Sequence, residues 1–373
     1  MISNIKTVLG RNITNARGWR TNRKIIVIES DDWGSIRMPN KKTLNDFSKF
    51  GYDLRKNPYC LNDTLADTED LTELFTVLRS CRNERKQHPK FTFNTVMANP
   101  LFNDIKASGY LEYSYEAFPE TLNRYYPNES VFELWEQGRN EKLMQPQFHG
   151  REHVNVYSWL GKLKEGNKPL LDAFDLRFWG IPEVLYGTNS NNIQASFGSG
   201  DPMRLNFFRE NICEGLKLFE DIFNFKSKTF IANNYTFPES LYLLLRENGV
   251  IGIQGMKKQK LPQPNGTIMT KNIYTGKQNQ FHQKYTVRNV VFEPSQMSKS
   301  FDNVKHCLRQ IDSAFFWKKP AIITSHRLNY IGGINKENRM RNLIMLQEVL
   351  SQIIKKWPEV EFLSSDELVD DIS

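Results

Sequence analysis

Aspartate and histidine residues recur directly after apolar runs of the sequence. Asp31 and Asp32 follow the first such run, His149 and His153 follow a later one, and His326 ends another. One aspartate and two histidines form a ligand set that binds a divalent cation and leaves positions open for water, which is typical of catalytic metal sites. The other aspartate would then face a substrate. These residue types therefore indicate a catalytic and not a structural metal site.

Simpler interpretations exist for each feature. Two adjacent aspartates after a strand are also typical of a turn or a helix N-cap, and a single histidine at a strand end is usually structural. Residues 149–153 also read H-x-x-E-H, the inverted zinc-peptidase motif, with Glu152 as general base. That motif requires a long helix, and Pro146 and Gly150 are unfavourable inside one. The peptidase interpretation also leaves the aspartate pair without a role.

The elements that must position these side chains alternate along the chain. Apolar or β-branched runs predict strands at 24–28, 91–97, 144–148, 228–232, 250–253, 287–292, 321–324 and 360–363. Amphipathic segments predict helices at 130–142, 203–223, 238–248, 302–317 and 336–356. Strand–helix–strand alternation predicts an α/β fold with a parallel sheet, either open or closed into a barrel.

In such a sheet the carboxyl ends of the strands share one rim, where α/β proteins build their active sites. Other polar or aromatic residues near strand ends are therefore expected at the same rim. As candidate substrate contacts we take the set Trp33, Asn233, Asn234, Tyr235, Glu293 and Arg327.

Composition and charge exclude several classes of protein. The 373 residues include 25 Phe, 14 Tyr and 7 Trp, which is too much core-forming surface for a disordered chain. No apolar run reaches the ~18 residues of a membrane span, and the four cysteines form no C-x-x-C pair. The net charge is +8, and six of the excess positive charges lie in the first 28 residues. The nearly neutral remainder predicts no nucleic-acid-binding face.

The basic residues divide the chain into two parts. Residues 1–23 are expected to form a basic, helical N-terminal segment that docks on the protein or contacts an anionic membrane surface. The segment lacks the apolar core of a signal peptide, so we expect a cytoplasmic protein. Residues 24–373 are expected to form a single domain with insertions near 185–202 and 255–282, the second a hairpin or flexible loop. Nothing in the sequence indicates an oligomeric state.

Over roughly residues 24–366 the motifs resemble the polysaccharide deacetylase family, carbohydrate esterase family 4, which includes nodulation-type chitooligosaccharide deacetylases. Asp31 and Asp32 match the family's Asp-Asp at the end of the first strand. His149 and His153 match the spacing of its H-[ST]-x-x-H motif, and His326 matches its late strand-end histidine. The resemblance implies a distorted (β/α) barrel of about seven parallel strands with loop insertions.

The resemblance also implies a reaction, the removal of acetyl groups from an amino sugar or polysaccharide. Asp32, His149 and His153 would bind one divalent metal, with Zn expected and Co, Mn or Ni as alternatives. Asp31 would act as general base on metal-bound water, and His326 would be the general acid. The partner would be a carbohydrate substrate, with an acetylated sugar of an intracellular pathway as the expected class.

The sequence departs from the family pattern in ways that keep alternatives open. Trp33 separates the aspartate pair from Gly34, and the family's base-orienting arginine has no counterpart at 230–235. Arg37 or Arg327 are candidates to replace that arginine. One alternative is a glycan-binding protein of the same fold with a degenerate site. Another is a metal-free glycoside hydrolase with Asp31 and Glu293 as its two catalytic carboxyl groups.

Overall fold

The structure of the protein, a computed structural model, describes residues 14–187 and 192–373. Most of the predicted N-terminal segment lies outside the described residues. The described strands are β1 (Ile25–Trp33), β2 (Phe91–Thr95), β3 (Ala98–Pro100), β4 (Tyr115–Ala117), β5 (Met144–Phe148), β6 (Thr229–Ile231), β7 (Gly252–Gly255), β8 (Lys258–Pro262), β9 (Ile268–Asn272), β10 (Lys284–Val287), β11 (Val290–Val291), β12 (Ala321–His326) and β13 (Glu361–Leu363).

Helices separate most of these strands. They are α1 (Lys41–Ser48), α2 (Pro58–Asn62), α3 (Thr68–Ser80), α4 (Phe102–Ala107), α5 (Phe118–Tyr125), α6 (Val131–Asn140), α7 (Val156–Lys164), α8 (Lys168–Asp175), α9 (Glu183–Tyr186), α10 (Pro202–Phe223), α11 (Tyr242–Glu247), α12 (Asn303–Phe316), α13 (Lys336–Lys356) and α14 (Ser365–Asp371). In the described part of the chain, no helix combines the length and the apolar character needed to cross a bilayer.

The central sheet has nine strands, and every pairing within it is parallel. Its order is β10-β7-β6-β5-β2-β1-β12-β11, and β13 pairs with β1 beside this path. All nine residues of β1 are buried, as expected for a central strand covered on both faces. The structure therefore confirms the α/β fold with a parallel sheet, and it has two strands more than the expected seven.

The two edges of the sheet meet along a seam. β10 and β11 are the edge strands, yet only Arg288 and Asn289 separate them in the chain. Three trans peptide steps span at most about 11 Å, so the sheet must curve until its edges are neighbours. No pairing between described residues joins these edges. The result is a distorted, incompletely hydrogen-bonded barrel.

Both predicted insertions interrupt the alternation of helices and parallel strands that forms the barrel. The insertion at 255–282 contains the antiparallel hairpin β8–β9, as expected for a hairpin. The insertion near 185–202 starts within α9 and contains no strand in its described residues, 185–187 and 192–202. The single-domain organisation and the cytoplasmic location stay predictions.

Candidate active site

A backbone irregularity at the end of β1 brings two consecutive carboxylates to one cavity. Asp32 has a left-handed φ of 73°, and the β1–β2 register shifts between Ser30 and Trp33. Consecutive side chains of a regular strand point to opposite faces, and a bulge breaks that alternation. Asp31 and Asp32 consequently both line the same cavity. A left-handed non-glycine residue costs about 1–3 kcal/mol, and such residues cluster at functional sites.

Asp32, His149 and His153 form a buried group with the geometry of a metal centre. Asp32 Oδ1 lies 3.1 Å from His153 Nε2 and 3.5 Å from His149 Nε2. One donor atom from each residue lies within 4.8 Å of the others. Ligands bound at about 2.0–2.2 Å to one ion lie about 3.0–3.6 Å apart in tetrahedral or octahedral geometry. One carboxylate and two imidazoles at these separations fit a divalent metal.

The two histidines present the atoms that a metal requires. His149 Nδ1–H donates to the carbonyl of Ile231 at 2.9 Å, which leaves Nε2 as the unprotonated nitrogen. Burial lowers the pKa of His153 to about 4, with help from Arg37 and against the opposing charge of Asp32. His153 is therefore expected to be a neutral ligand at neutral pH.

The segment that holds these histidines is a loop and not a helix. Residues 149–153 are irregular, and Gly150 has a φ of 106°, which disfavours the Ser or Thr of the family motif. Glu152 forms an ion pair with Arg151 at 2.6 Å and accepts a hydrogen bond from Asn211. Glu152 is not part of the cavity wall. The inverted zinc-peptidase interpretation is therefore wrong, because its helix is missing and its base is already paired.

Arg288 holds Asp31 in a fixed orientation. Its Nη1 and Nη2 donate to Asp31 Oδ2 and Oδ1 at 2.6 Å each, and its Nε donates to Glu29 at 2.6 Å. Asn94 donates a further hydrogen bond to Asp31 at 2.7 Å. Burial raises the pKa of Asp31, but the charge and hydrogen bonds of Arg288 outweigh burial and lower it. Asp31 is therefore an ionised, immobilised carboxylate.

His326 has the opposite protonation state. Its Nδ1–H donates to Glu293 Oε1 at 2.5 Å, and its Nε2 lies 3.8 Å from Asp31 Oδ2. Burial lowers the pKa of His326, but Glu293 and, less strongly, Asp31 raise it to about 9. The imidazole is therefore protonated at neutral pH. A base of lowered pKa beside an acid of raised pKa is the usual basis for assigning general base and general acid.

These groups share a cavity of about 180 Å³. Its walls include the five residues expected to do chemistry, namely Asp31, Asp32, His149, His153 and His326. Asn234 and Tyr235, two of the candidate substrate contacts, also line it, together with Arg37, Tyr59, Gln194 and Ala232. The backbone N–H of Tyr235 donates to the Ala232 carbonyl at 2.9 Å and is therefore already used. Of these two residues, Asn234 is the one whose backbone N–H can donate to a negatively charged oxygen of a ligand.

Two candidate substrate contacts lie in the protein interior. The Trp33 ring is 1% exposed, stacks on Phe93 with a centroid distance of 3.6 Å, and donates to Ser30. Arg327 is fully buried and donates two hydrogen bonds to Asp63, at 2.9 and 3.0 Å. The assignment of Trp33 and Arg327 to substrate binding is therefore corrected, because both belong to the packing and charge pairing beneath the rim.

Two further candidate substrate contacts, Asn233 and Glu293, lie outside the cavity wall and contact the histidines that line it. Asn233 is buried and donates to His149 Nε2 at 3.2 Å and to the His149 carbonyl at 3.3 Å. Glu293 contacts His326 as described above. Neither residue lines the cavity. In this structure Asn233 contacts His149 and Glu293 contacts His326, and neither faces a substrate.

Sequence reasoning missed Arg288 and its second partner, Glu29. The candidates for the base-orienting arginine, Arg37 and Arg327, do not contact Asp31 within ion-pair distance, whereas Arg288 does. A signal was present in the sequence. Arg288 is the one charged residue in the apolar stretch 285–292, and a charged residue in a buried strand must be paired.

Comparisons with known proteins give fold-level similarity only. No family model matches the chain, and no curated protein matches it by sequence. Among solved structures, it is similar to a probable polysaccharide deacetylase from Pseudomonas aeruginosa PAO1 (9% identity, 94% of this chain and 90% of that chain, TM-score 0.45). It is also similar to the alpha-amylase AmyC from Thermotoga maritima (10%, 95% and 75%, TM-score 0.46).

A 4-alpha-glucanotransferase from Thermococcus litoralis is similar over 94% of this chain at 8% identity, with a TM-score of 0.45. This chain spans 41% of that protein's length. At such low identities and TM-scores below 0.5, nothing about activity follows from these three proteins. The functional argument therefore depends on the site itself.

Proposed function

We propose that the protein is a metal-dependent hydrolase that removes acetyl groups from an amino sugar or polysaccharide. The observation that carries this proposal is the convergence of three chemical functions on one cavity. A candidate metal centre, an ionised carboxylate and a protonated imidazole all line its walls. These are the groups that hydrolysis of an unactivated amide or ester requires.

Asp32, His149 and His153 would hold the metal, with Zn the expected ion. When bound, such an ion acts as a Lewis acid that lowers the pKa of water and polarises a carbonyl oxygen. Asp31 is the general base of the proposal. Oδ1 accepts from both Arg288 and Asn94, whereas Oδ2 accepts from Arg288 alone. Oδ2 therefore keeps a lone pair that can accept a proton while Arg288 holds the carboxylate.

His326 serves as the general acid. Its Nδ1–H remains on Glu293, so the proton available for a departing amine or alcohol is the one on Nε2, the nitrogen nearest Asp31. The Asn234 amide is the backbone donor for the negative charge that develops on the acetyl oxygen. Amines are poor leaving groups unless protonated, which is why an acid with a raised pKa suits this role.

The metal-free glycoside hydrolase alternative is disfavoured by the surroundings of Glu293. That mechanism needs two carboxyl groups about 5–10 Å apart, one of which is free to act as an acid. Glu293 instead accepts hydrogen bonds from His326, Asn329 and Gln296, at 2.5, 2.8 and 2.9 Å. Three donors occupy this carboxylate, and it does not line the cavity, so it is not free to reach a glycosidic bond.

The test combines metal analysis with acetate release from N-acetylated and O-acetylated oligosaccharides. The wild type is expected to take up about one Zn per chain and to release acetate, and His149→Ala is expected to lose both properties. Asp31→Asn should still bind Zn while acetate release falls by about 10²-fold or more. The matched control is His282→Asn, on an exposed residue outside the cavity.

Two results would contradict the proposal. One is the absence of Zn uptake by the wild type at saturating metal. The other is unchanged acetate release in Asp31→Asn. Sugar binding that survives in Asp31→Asn, with no acetate released by the wild type, would instead support the glycan-binding alternative.

A further inference from the structure

Arg37 is a buried cation in the cavity wall whose hydrogen-bond donors are mostly unused. Its side chain is 4% exposed, and its guanidinium packs 4.5 Å from the Tyr59 ring centre and 5.5 Å from that of Trp179. The nearest oxygens of Asp63 and Asp32 lie 3.6 and 3.8 Å away, beyond hydrogen-bond distance. Its Nε is buried without an acceptor among the described residues.

The other buried arginines near the site differ from Arg37. Arg288 and Arg327 donate to carboxylates at 2.6–3.0 Å. Arg37 forms ion pairs with Asp63 and Asp32 at 3.6 and 3.8 Å, but it donates no hydrogen bond to either carboxylate. A guanidinium has five N–H donors, and a carboxylate that accepts two of them in parallel is its best partner. Arg37 lacks such a partner among the described residues, although it borders the cavity.

Within residues 14–187 and 192–373, the one hydrogen-bond contact of the Arg37 side chain joins Nη2 to His153 Nε2, at 3.3 Å. That nitrogen has a single lone pair, which the proposed function assigns to a metal. A metal on His153 would therefore leave Nη2 of Arg37 without an acceptor. An anionic group of a ligand in the cavity would supply that hydrogen-bond acceptor.

A second positive feature lies beside the cavity. Between Glu247 and Glu293 the chain contains seven basic residues and no acidic residue. Strand β8 of the hairpin presents Lys258 and Lys260, both exposed and without an ion pair to any residue in the described ranges. Gln259 Nε2, between them, donates at 2.9 Å to the carbonyl of Tyr235, a cavity-wall residue. Side chains alternate along β8, so Lys258 and Lys260 lie on its solvent-exposed face, opposite the face from which Gln259 contacts Tyr235.

We propose that the ligand is an acidic glycan in which a carboxylate-bearing sugar lies next to the acetylated one. Arg37 binds the carboxylate inside the cavity, and Lys258 and Lys260 bind further acidic sugars of the same chain. A singly charged, planar carboxylate suits one guanidinium beside Asp31 and Asp32 better than a doubly charged phosphate. The reaction on this ligand rests on the proposed function, whereas the binding preference is measured separately from it.

The test measures equilibrium binding by calorimetry, in metal-free and Zn-loaded protein. The probes are an oligomer of alternating N-acetylglucosamine and glucuronic acid, a neutral N-acetylglucosamine oligomer of equal length, and N-acetylglucosamine 1-phosphate. We expect the acidic oligomer to bind at least about tenfold more tightly than the neutral one. Arg37→Gln should abolish this preference, measured as the ratio of the affinities of the two oligomers for the same variant. Arg37→Lys, which keeps the charge, should retain part of it.

The surface lysines are tested by a double substitution that does not endanger folding. Lys258→Gln/Lys260→Gln should weaken binding of long acidic oligomers and reduce its salt dependence. The matched control is Lys41→Gln/Lys355→Gln, a pair of exposed lysines elsewhere in the chain. An effect of equal size in both double variants would overturn the role of the hairpin.

The outcomes separate this inference from the proposed function. Equal affinity for the acidic and neutral oligomers, or a preference that survives Arg37→Gln, would overturn it whether or not acetate is released. Tighter binding of the phosphate probe would overturn the assignment of a carboxylate. Preferential, Arg37-dependent binding of the acidic oligomer without acetate release would support the acidic-glycan inference and refute the proposed hydrolase activity.

Discussion

Replacing Glu293 with Gln tests what keeps the proton on His326. Gln has nearly the same shape and retains an oxygen that can accept from Nδ1–H, but it carries no charge. Burial alone lowers the pKa of His326, and Glu293 is the largest influence that raises it to about 9. Between the ordinary value of 6.5 and about 9, the difference is equivalent to about 3 kcal/mol. In Glu293→Gln we expect the pKa of His326 to fall well below that of the wild type, since only Asp31 and Asp32 still oppose burial.

The pKa can be measured directly, without knowledge of the substrate. The chain has six histidines, so NMR of protein labelled with ¹⁵N in the imidazole rings can follow each one from about pH 5 to pH 10. The spectrum of His326→Gln identifies the resonance that belongs to His326. A His326 resonance that titrates at the same pH in wild type and Glu293→Gln would refute the reasoning.

The same shift predicts a pH dependence of stability. The folded-state pKa of His326 lies above its unfolded value, so the stabilisation is complete below about pH 6.5 and is lost as the pH rises through about 9. Over that window the free energy of unfolding should fall by up to about 3 kcal/mol in the wild type because of this group. Urea unfolding of wild type and Glu293→Gln across the window isolates it, because other titrating groups are common to both proteins.

Two further substitutions probe the support of the site. Arg288→Met leaves Glu29 and Asp31 buried without their counter-charge, so we expect a loss of about 3–5 kcal/mol in urea unfolding, and a loss below about 1 kcal/mol would contradict the pairing. Gly150→Ala adds a Cβ to a residue with a φ of 106° and places it 3.2 Å from the Glu152 carbonyl oxygen. We expect about 1–2 kcal/mol of destabilisation and weaker Zn binding by calorimetry, and unchanged Zn affinity would show that the loop does not position the ligands.

Local sequence patterns determine most of the fold. The helix predicted over 336–356 has those bounds in the structure, and the run at 144–148 is strand β5. Such segments are predictable because the period of apolar residues depends only on the local backbone geometry and on which face is buried. The closure of the sheet into a barrel cannot be predicted from such local patterns. It follows from the order of the strands and from the short connection at 288–289, and no local pattern encodes that order.

The same distinction explains which site residues could be predicted. Asp31, His149 and His326 were accessible from sequence because the end of a parallel strand is a local feature with a known place in the fold. The role of Arg288 was not accessible, because it sits at the seam and meets Glu29 and Asp31 only once the barrel curves. Pairing with a buried charge was predictable for Arg288, but the identity of the partner depends on closure.

Trp33 shows the limit of strand-end reasoning most clearly. An aromatic residue directly after two cavity-lining aspartates is expected at the rim. The left-handed residue Asp32 and the bulge around it interrupt the alternation of side chains at this point. The carboxylate of Asp32 thereby joins that of Asp31 in the cavity, and the indole ring that follows is directed inward onto Phe93. One backbone conformation thus accounts both for the paired aspartates and for the absence of the Trp33 ring from the cavity wall.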